Sequence, residues 1–362
     1  MNDFKKTEKN RTSSWKDGSF MRRILIILTT FFSVLSFAGC ASSGNRKIPV
    51  KLLILPKFEV GDMNGDFPGE GQYFFEEYVA GGKEYTLPGC NGDISIYYRD
   101  GTALALLGEG KVCAAVNTSA ILEDDRFDFS NAYILSVGCA GGARGRTVQG
   151  DVCVVTASAD YDLGHHADPR DMEVKSDVSW FHDEEFDRSS NVVMDAALAD
   201  WAYELVKDVP LETTELTRQQ MRNAFPNETW ADREPMVIKG TSVSGDNFWK
   251  GEYDHANAEK IVDTYHCPDP YTLTEMEDVA VALTVQRFGM LDKTINLRVS
   301  VNMDVFPPGI GPENLWGPES SDALASDNSA ESGDIFKVAM KNNFLVGKRI
   351  ADAILNGEVP GK

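Results

Sequence analysis

The chain has 362 residues, 42% of them hydrophobic, with a mean hydropathy of −0.27 and a formal net charge of −21. That length holds one large α/β domain or two smaller ones around a sizeable core. With 35 basic against 56 acidic residues and no strong basic cluster, a nucleic-acid-binding surface is excluded. A small anionic ligand can still be met by local backbone dipoles.

Residues 1–20 are polar and charged, and MRRILIILTTFFSVLSFAGCASSG follows. Arg22 and Arg23 form a basic leader, Ile24 to Phe37 are apolar but short for a membrane span, and small residues end at Cys40. This is the pattern of a secretory signal. "FAGC" resembles a bacterial lipobox, which implies a lipidated Cys40 and a body exported from the cytoplasm and held to a membrane by its lipid anchor. An uncleaved anchor is the competing reading, and Met21 competes with Met1 as the true start. The expected layout is an extension and signal over 1–40, a linker over 41–47, and one domain over 48–362.

Five further cysteines (Cys90, Cys113, Cys139, Cys153, Cys267) are scattered with no Cys-x-x-Cys spacing. No zinc or other metal site is expected, and most of these thiols sit in contexts where they act as small hydrophobes. A disulfide from Cys90 suits an oxidising compartment, but spacing assigns it no partner.

Along the chain, "VKLLILP" predicts a first buried strand. "ISIYYRDGTALALLGEG" predicts a hairpin turning at Asp100-Gly101. "VCAAVNTSAILED" has helical spacing, "AYILSVGCAGGA" is a strand ending in a glycine loop, and "GDVCVVTASADYD" is another strand. "VVMDAALADWAYELVKD" predicts an amphipathic helix. "PMVIKGTSVSGDNFW" is strand then loop, 276–288 helix, "TINLRVSVNMDVFPPG" strand then loop, and "IFKVAMKNNFLVGKRIADAIL" a final helix. Residues 163–190 and 310–334 are polar and acidic, and read as surface excursions. Alternating strands and helices predict an α/β fold: a three-layer α/β/α sandwich with a mixed, partly barrelled central sheet.

Ligand sites in such folds gather at strand C-termini, which points to loops 56–66, 138–146, 241–250 and 300–309. In "GCAGGARGR" the glycines let backbone approach a ligand, and Arg144 and Arg146 are candidate anion binders. In "SVSGDNFWKG", Phe248 and Trp249 can stack on a heterocycle or pack as a lid. In "LRVSVNMDVFPPG", Asn302 and Asp304 can hydrogen-bond a leaving base or serve as turn residues before Pro307-Pro308. "HHADPRD" offers His165 and His166, most simply a surface loop. In "YTLTEMEDVAVAL", Thr274 and Glu277 have capping-box spacing and the acids suit a helix start.

Together these stretches resemble the nucleoside phosphorylase and nucleosidase superfamily. "SVGCAGGARGRTVQGD" is similar to its glycine strand–loop–strand segment, "SGDNF" to its SGD-x-F, and "EMED" carries its E-M-E. Within it, the order of motifs over about 48–357 is most similar to the purine nucleoside permease (NUP) family. The resemblance implies a nucleoside phosphorylase-like fold and a purine nucleoside as ligand. It implies that Met276 and Glu277 hold the ribose, that Phe248 packs on the base, and that Asn302 faces N7 with Asp304 as a fallback acid. Gly108 and Gly110, with Cys139, Ala140 and Gly141, would line the sugar or phosphate side. Glu59, with Asp62 as alternative, would activate water. No cofactor is implied, inorganic phosphate is a candidate co-substrate, and superfamily members often form homo-oligomers. Asn302 stands where nucleosidases carry an acid, so hydrolysis, phosphorolysis and a non-catalytic binding role in nucleoside uptake all stay open.

Overall fold

Runs of branched apolar residues set the centre of the molecule. Leu52–Leu55 (β1) is buried at all four positions, and Val152–Asp160 (β6) at all nine. Strands buried on both faces belong inside a layered α/β fold, not at its surface. The computed structural model describes residues 46–173, 175–306 and 330–360, and Lys47–Lys362 forms one compact unit. The proposed signal segment over 1–40 with Cys40, residues 41–45 of the linker, Pro307-Pro308 and the 310–329 part of the acidic stretch lie outside the described residues.

Ten strands make one mixed sheet. Besides β1 and β6 they are Lys83–Gly89 (β2), Gly92–Arg99 (β3), Thr102–Leu104 (β4), Tyr133–Gly142 (β5), Asn191–Val193 (β7), Val237–Ser244 (β8), Tyr271–Glu275 (β9) and Thr294–Met303 (β10). Their order is β7-β6-β8-β9-β5-β1-β4-β3-β2, and β10 pairs with both β5 and β6. That second pairing closes β5, β10, β6, β8 and β9 into a small barrel, and β1 to β4 run off as an open wing. Parallel pairs (β1–β5, β5–β10, β6–β8, β8–β9) sit beside antiparallel ones (β5–β9, β6–β10).

Helices cover both faces. Among the described residues the α-helices are Gln72–Phe74 (α1, continuing as a π-turn over Phe75–Val79), Lys111–Glu123 (α2), Ala196–Val206 (α3), Glu215–Ala224 (α4), Glu252–Thr264 (α5), Asp278–Arg287 (α6) and Ala330–Leu355 (α7). One core joins β1, β5, β6 and β10 to α1, α3 and α7 through Phe74, Leu198, Ala202, Phe336, Val346 and Ile350. A second packs α2 and α6 on the other face through Ala114, Ile121, Val281 and Val285. The three-layer α/β/α sandwich read from the sequence is the observed architecture.

Several local expectations need correction. Val192 and Val193 do not begin a helix. They pair antiparallel with β6, and the helix starts after Asp195, whose carboxylate accepts the Leu198 N–H at 2.9 Å. Gly138, Gly141 and Gly142 lie within β5 and not in a loop beyond it. The 163–190 excursion is anchored: Trp180 is fully buried and its indole N–H donates to the Leu163 carbonyl at 2.8 Å. The Asp100-Gly101 hairpin stands, with φ of 52° and 94°, the left-handed pair a two-residue primed turn requires. Helices α1, α4 and α5 and strands β2 and β9 were not foreseen.

Candidate functional site

Arg298 organises the site. It sits on β10 in register with Gly138 of β5, and its guanidinium lies where a side chain at 138 would be. A Cβ there would come within 2.5 Å of Arg298 Nη1 and 2.9 Å of Glu70 Oε1. Glycine is therefore required by space. Arg298 Nε donates to Asp278 Oδ1 (2.8 Å), Nη1 to the Cys139 carbonyl (2.9 Å), and Nη2 to Glu275 Oε2 (3.0 Å), Glu277 Oε2 (2.9 Å) and Asp278 Oδ1 (2.6 Å).

This explains the acids over 275–278, and it replaces the expected capping box. Thr274 lies inside β9. Glu275, at that strand's end, accepts the N–H groups of Glu277 and Asp278 at 2.6 and 2.7 Å. Its other oxygen accepts from Ser244 Oγ, which in turn accepts the Val279 N–H at 2.9 Å. The carboxylate thus satisfies orphan donors of α6 from outside the helix. Glu277 Oε1 accepts the Gly110 N–H at 2.9 Å, while its second oxygen is held by Arg298.

Two further buried charges complete the floor. Lys57 Nζ donates to Ser136 Oγ (2.7 Å) and the Val137 carbonyl (3.0 Å). Glu70 accepts the N–H groups of Lys57 and Cys139, both at 2.7 Å. Two cations thus share a buried setting with four acidic groups. Burial, then the Asp278 charge, lifts the Glu275 carboxyl to about 7. Burial likewise raises Glu277. For Asp278 burial pushes upward, but Arg298 and then Lys57 outweigh it and hold it low. Burial and the Arg298 charge lower Lys57. The floor is short of positive charge, and its protons are shared accordingly.

Above it opens a cavity of about 550 Å³. A register shift between Ser300 and Asn302 bulges the end of β10, so that Val301, Asn302, Met303 and Asp304 all border the cavity. Of the residues picked from sequence, Glu59, Cys139, Ala140, Gly141, Phe248, Met276, Glu277, Asn302 and Asp304 line this one space. Asn302 is buried opposite Gly141, and Phe248 stands 55% exposed at the rim. Ile335 and Phe336 of α7 close an apolar side.

Gly108 and Gly110 are not lining residues; Glu109 between them is. The Gly110 N–H is spent on Glu277, and Gly108, at φ +77°, abuts Cys113. Glu59 borders the cavity with its carboxylate occupied. It accepts the N–H groups of Val60 (3.0 Å), Gly69, Gly71 (2.9 Å) and Gln72 (2.6 Å), so it caps α1. Burial nonetheless raises its carboxyl. Asp62 lies in an exposed turn closed by Asp66. Asp304 is equally committed: Oδ2 accepts from His255 Nδ1 (2.7 Å) and Tyr271 (2.8 Å), and Oδ1 from the Arg144 N–H (3.1 Å). Arg144 pairs with Glu252 and Glu228, and Arg146 with Glu259 and the Tyr271 carbonyl. His165 and His166 are exposed, in a two-residue strand paired with Trp180–Phe181. Among the described residues no cluster of His, Cys, Asp and Glu suits a metal ion.

Sequence reading missed Glu70 and Lys57. The signal was present: Glu70 stands between Gly69 and Gly71 just ahead of a helix, where a carboxylate can meet backbone closely. Proximity to the first strand favoured Glu59 instead.

The chain is 26% identical over 267 residues to a probable purine nucleoside permease of Schizosaccharomyces pombe, covering 69% of this chain and 74% of that one. It is 28% identical over 157 residues to the purine nucleoside permease of Candida albicans, covering 40% of this chain and 38% of the other. Among solved structures it is similar to a 5′-methylthioadenosine/S-adenosylhomocysteine nucleosidase from Neisseria meningitidis (18% identity, 82% of this chain and 99% of that one, TM-score 0.45). It is also similar to the futalosine hydrolase of Helicobacter pylori (17%, 85% and 98%, TM-score 0.49). The family model described as purine nucleoside permease (NUP) matches residues 49–358. The chain belongs to the purine nucleoside permease family.

Proposed function

We propose that the cavity binds a purine nucleoside and that the protein cleaves its N-glycosidic bond, with water as the acceptor. The observation that carries this is the shared cavity: Phe248, Met276, Glu277 and Asn302 come from three separate segments and border one space. Glu277 is fixed by Arg298 and Gly110, and each of its oxygens keeps a lone pair for the ribose 2′ and 3′ hydroxyls. Met276 lies under the sugar, and Phe248 covers the base. The Asn302 amide donates toward N7 as charge builds on the departing purine. Glu70, not Glu59, is the candidate base: each of its oxygens accepts a single backbone N–H. Water attacks C1′, its proton passes toward Glu70, and the bond electrons leave with the base.

Water is favoured over phosphate by charge. With four acidic groups against two cations, the floor favours an oxocarbenium-like sugar over a phosphate dianion. Arg144 and Arg146 are tied to Glu252 and Glu259. Incubation with inosine and adenosine, with and without phosphate, is expected to release free base and free ribose at rates independent of phosphate. Strict phosphate dependence would replace hydrolysis with phosphorolysis, and no release under either condition would remove the enzymatic reading.

One observation favours a second reading, nucleoside binding without turnover as part of an uptake system. Asn302 has no acidic proton to give, and the neighbouring Asp304 is fully engaged. Tight binding with no base release would select it. In either case we propose an exported body tethered through a lipid on Cys40, with 1–40 as signal and 41–47 as linker. Among the described residues no helix is long and apolar enough to cross a membrane. Metabolic labelling with a radioactive fatty acid is expected to mark the protein and to fail for Cys40→Ser.

A further inference from the structure

The β2–β3 hairpin turns through Cys90 and Asn91, between the paired Gly89 and Gly92. Its tip rests on α2 through side-chain bonds. Asn117 Oδ1 accepts the Cys90 N–H at 2.8 Å, Asn117 Nδ2 donates to the Leu107 carbonyl at 2.8 Å, and Asn91 Nδ2 donates to Cys113 Sγ at 3.2 Å. These bonds hold hairpin and helix together and leave the Cys113 S–H directed at Cys90 Sγ, 2.9 Å away. Both thiols are free. A disulfide bond measures about 2.05 Å, so the sulfurs need close by less than 1 Å between elements already docked. Cys90 is half-buried and open to a reagent, whereas Cys113 is buried behind it.

We propose that Cys90 and Cys113 form a disulfide on exposure to a low-molecular-weight disulfide, stapling the hairpin tip to the start of α2. The Cys90 thiolate attacks the reagent, one reagent thiolate leaves, and a mixed disulfide forms. Cys113 Sγ then displaces the second reagent thiolate. One S–S bond breaks and one forms; two protein thiols are oxidised, two reagent sulfurs are reduced, and the protons end on the departing thiols. The bridge closes a loop from residue 90 to residue 113 and acts chiefly by restricting the unfolded chain. It also bears on the cavity. Cys113 lies three residues past Gly110, whose N–H holds Glu277, so the staple fixes that donor. The thiols meet whether or not the cavity holds a nucleoside.

The test equilibrates the full folded chain with oxidised glutathione, alkylates it and digests it with trypsin. The expected product is a disulfide-linked pair of peptides, 84–99 with 112–126. The oxidised protein should melt about 5 °C above the reduced one, and Cys90→Ser, a near-isosteric change in an accessible turn, should abolish that increment. Recovery of the two peptides separately and fully alkylated would overturn the proposal, as would linkage of Cys90 to any other cysteine. An increment that survives in Cys90→Ser would show that this pair is not the staple.

Discussion

Arg298 and the pair Arg144 and Arg146 all flank the glycine strand β5, and their surroundings differ in kind. Arg298 is buried beneath the cavity and donates to three carboxylates. Arg144 and Arg146 are partly exposed and pair with the carboxylates of Glu252 and Glu259. A guanidinium sealed among carboxylates is a structural keystone, because each partner left behind would be a buried uncompensated charge. A guanidinium in solvent is worth little to stability, whatever motif it sits in. The candidate site is thus built on a cation held by carboxylates, with Glu70, Glu275 and Glu277 bordering the cavity beside it.

The contrast is broken most directly at Arg298. Arg298→Met should destabilise the fold by about 3–5 kcal/mol, read as a lowered urea midpoint; an unchanged midpoint would make the keystone argument wrong. Glu277→Gln comes next. It should weaken inosine binding about 10–100-fold by calorimetry with a much smaller change in urea midpoint, which separates the ligand-facing carboxylate from the structural cation.

The Asp304 side sharpens the comparison through pH. Burial alone would lower His255, but its bond to Asp304 and the charges of Asp304, Glu259 and Glu252 outweigh that and raise it. A histidine raised on folding binds more protons folded than unfolded, so its contribution is complete below about pH 6.5 and lost as pH rises through the folded value. The melting temperature should therefore fall as pH rises above about 6.5, and His255→Asn should reduce that slope while leaving the part carried by Glu275, whose carboxyl is also raised on folding. The smallest effect belongs to the outer pair. Arg144→Ala with Arg146→Ala should alter stability by no more than about 1 kcal/mol and leave the phosphate independence of base release unchanged.

How much of this was legible in the sequence depended on whether a signal was local. The leucines of β1, the Asp100-Gly101 turn and the acid-rich start of α6 declare themselves through an unbroken apolar run, a turn-forming pair and charge at a helix start. The roles of those acids did not. Thr274 and Glu277 have the spacing of a capping box, yet the actual cap is Glu275 because β9 carries Thr274 away from the helix. Glu59 and Glu70 both follow the first strand, and only the fold shows that four backbone N–H groups occupy one and two the other. Helix α5 was hidden by its polarity, and Val192-Val193 by apolar residues that suit a strand edge as well as a helix. Pairing partners more than a hundred residues apart, such as Gly110 with Glu277, leave no trace in spacing.

The missing side chain at position 138 sets the limits of mutational tolerance across the cleft. Even a methyl group there would collide with both Arg298 and Glu70, displacing the acids that Arg298 steadies. Directed evolution toward new ligands should therefore find its freedom at the outer edge, around Phe248, and meet failure to fold along the glycine strand.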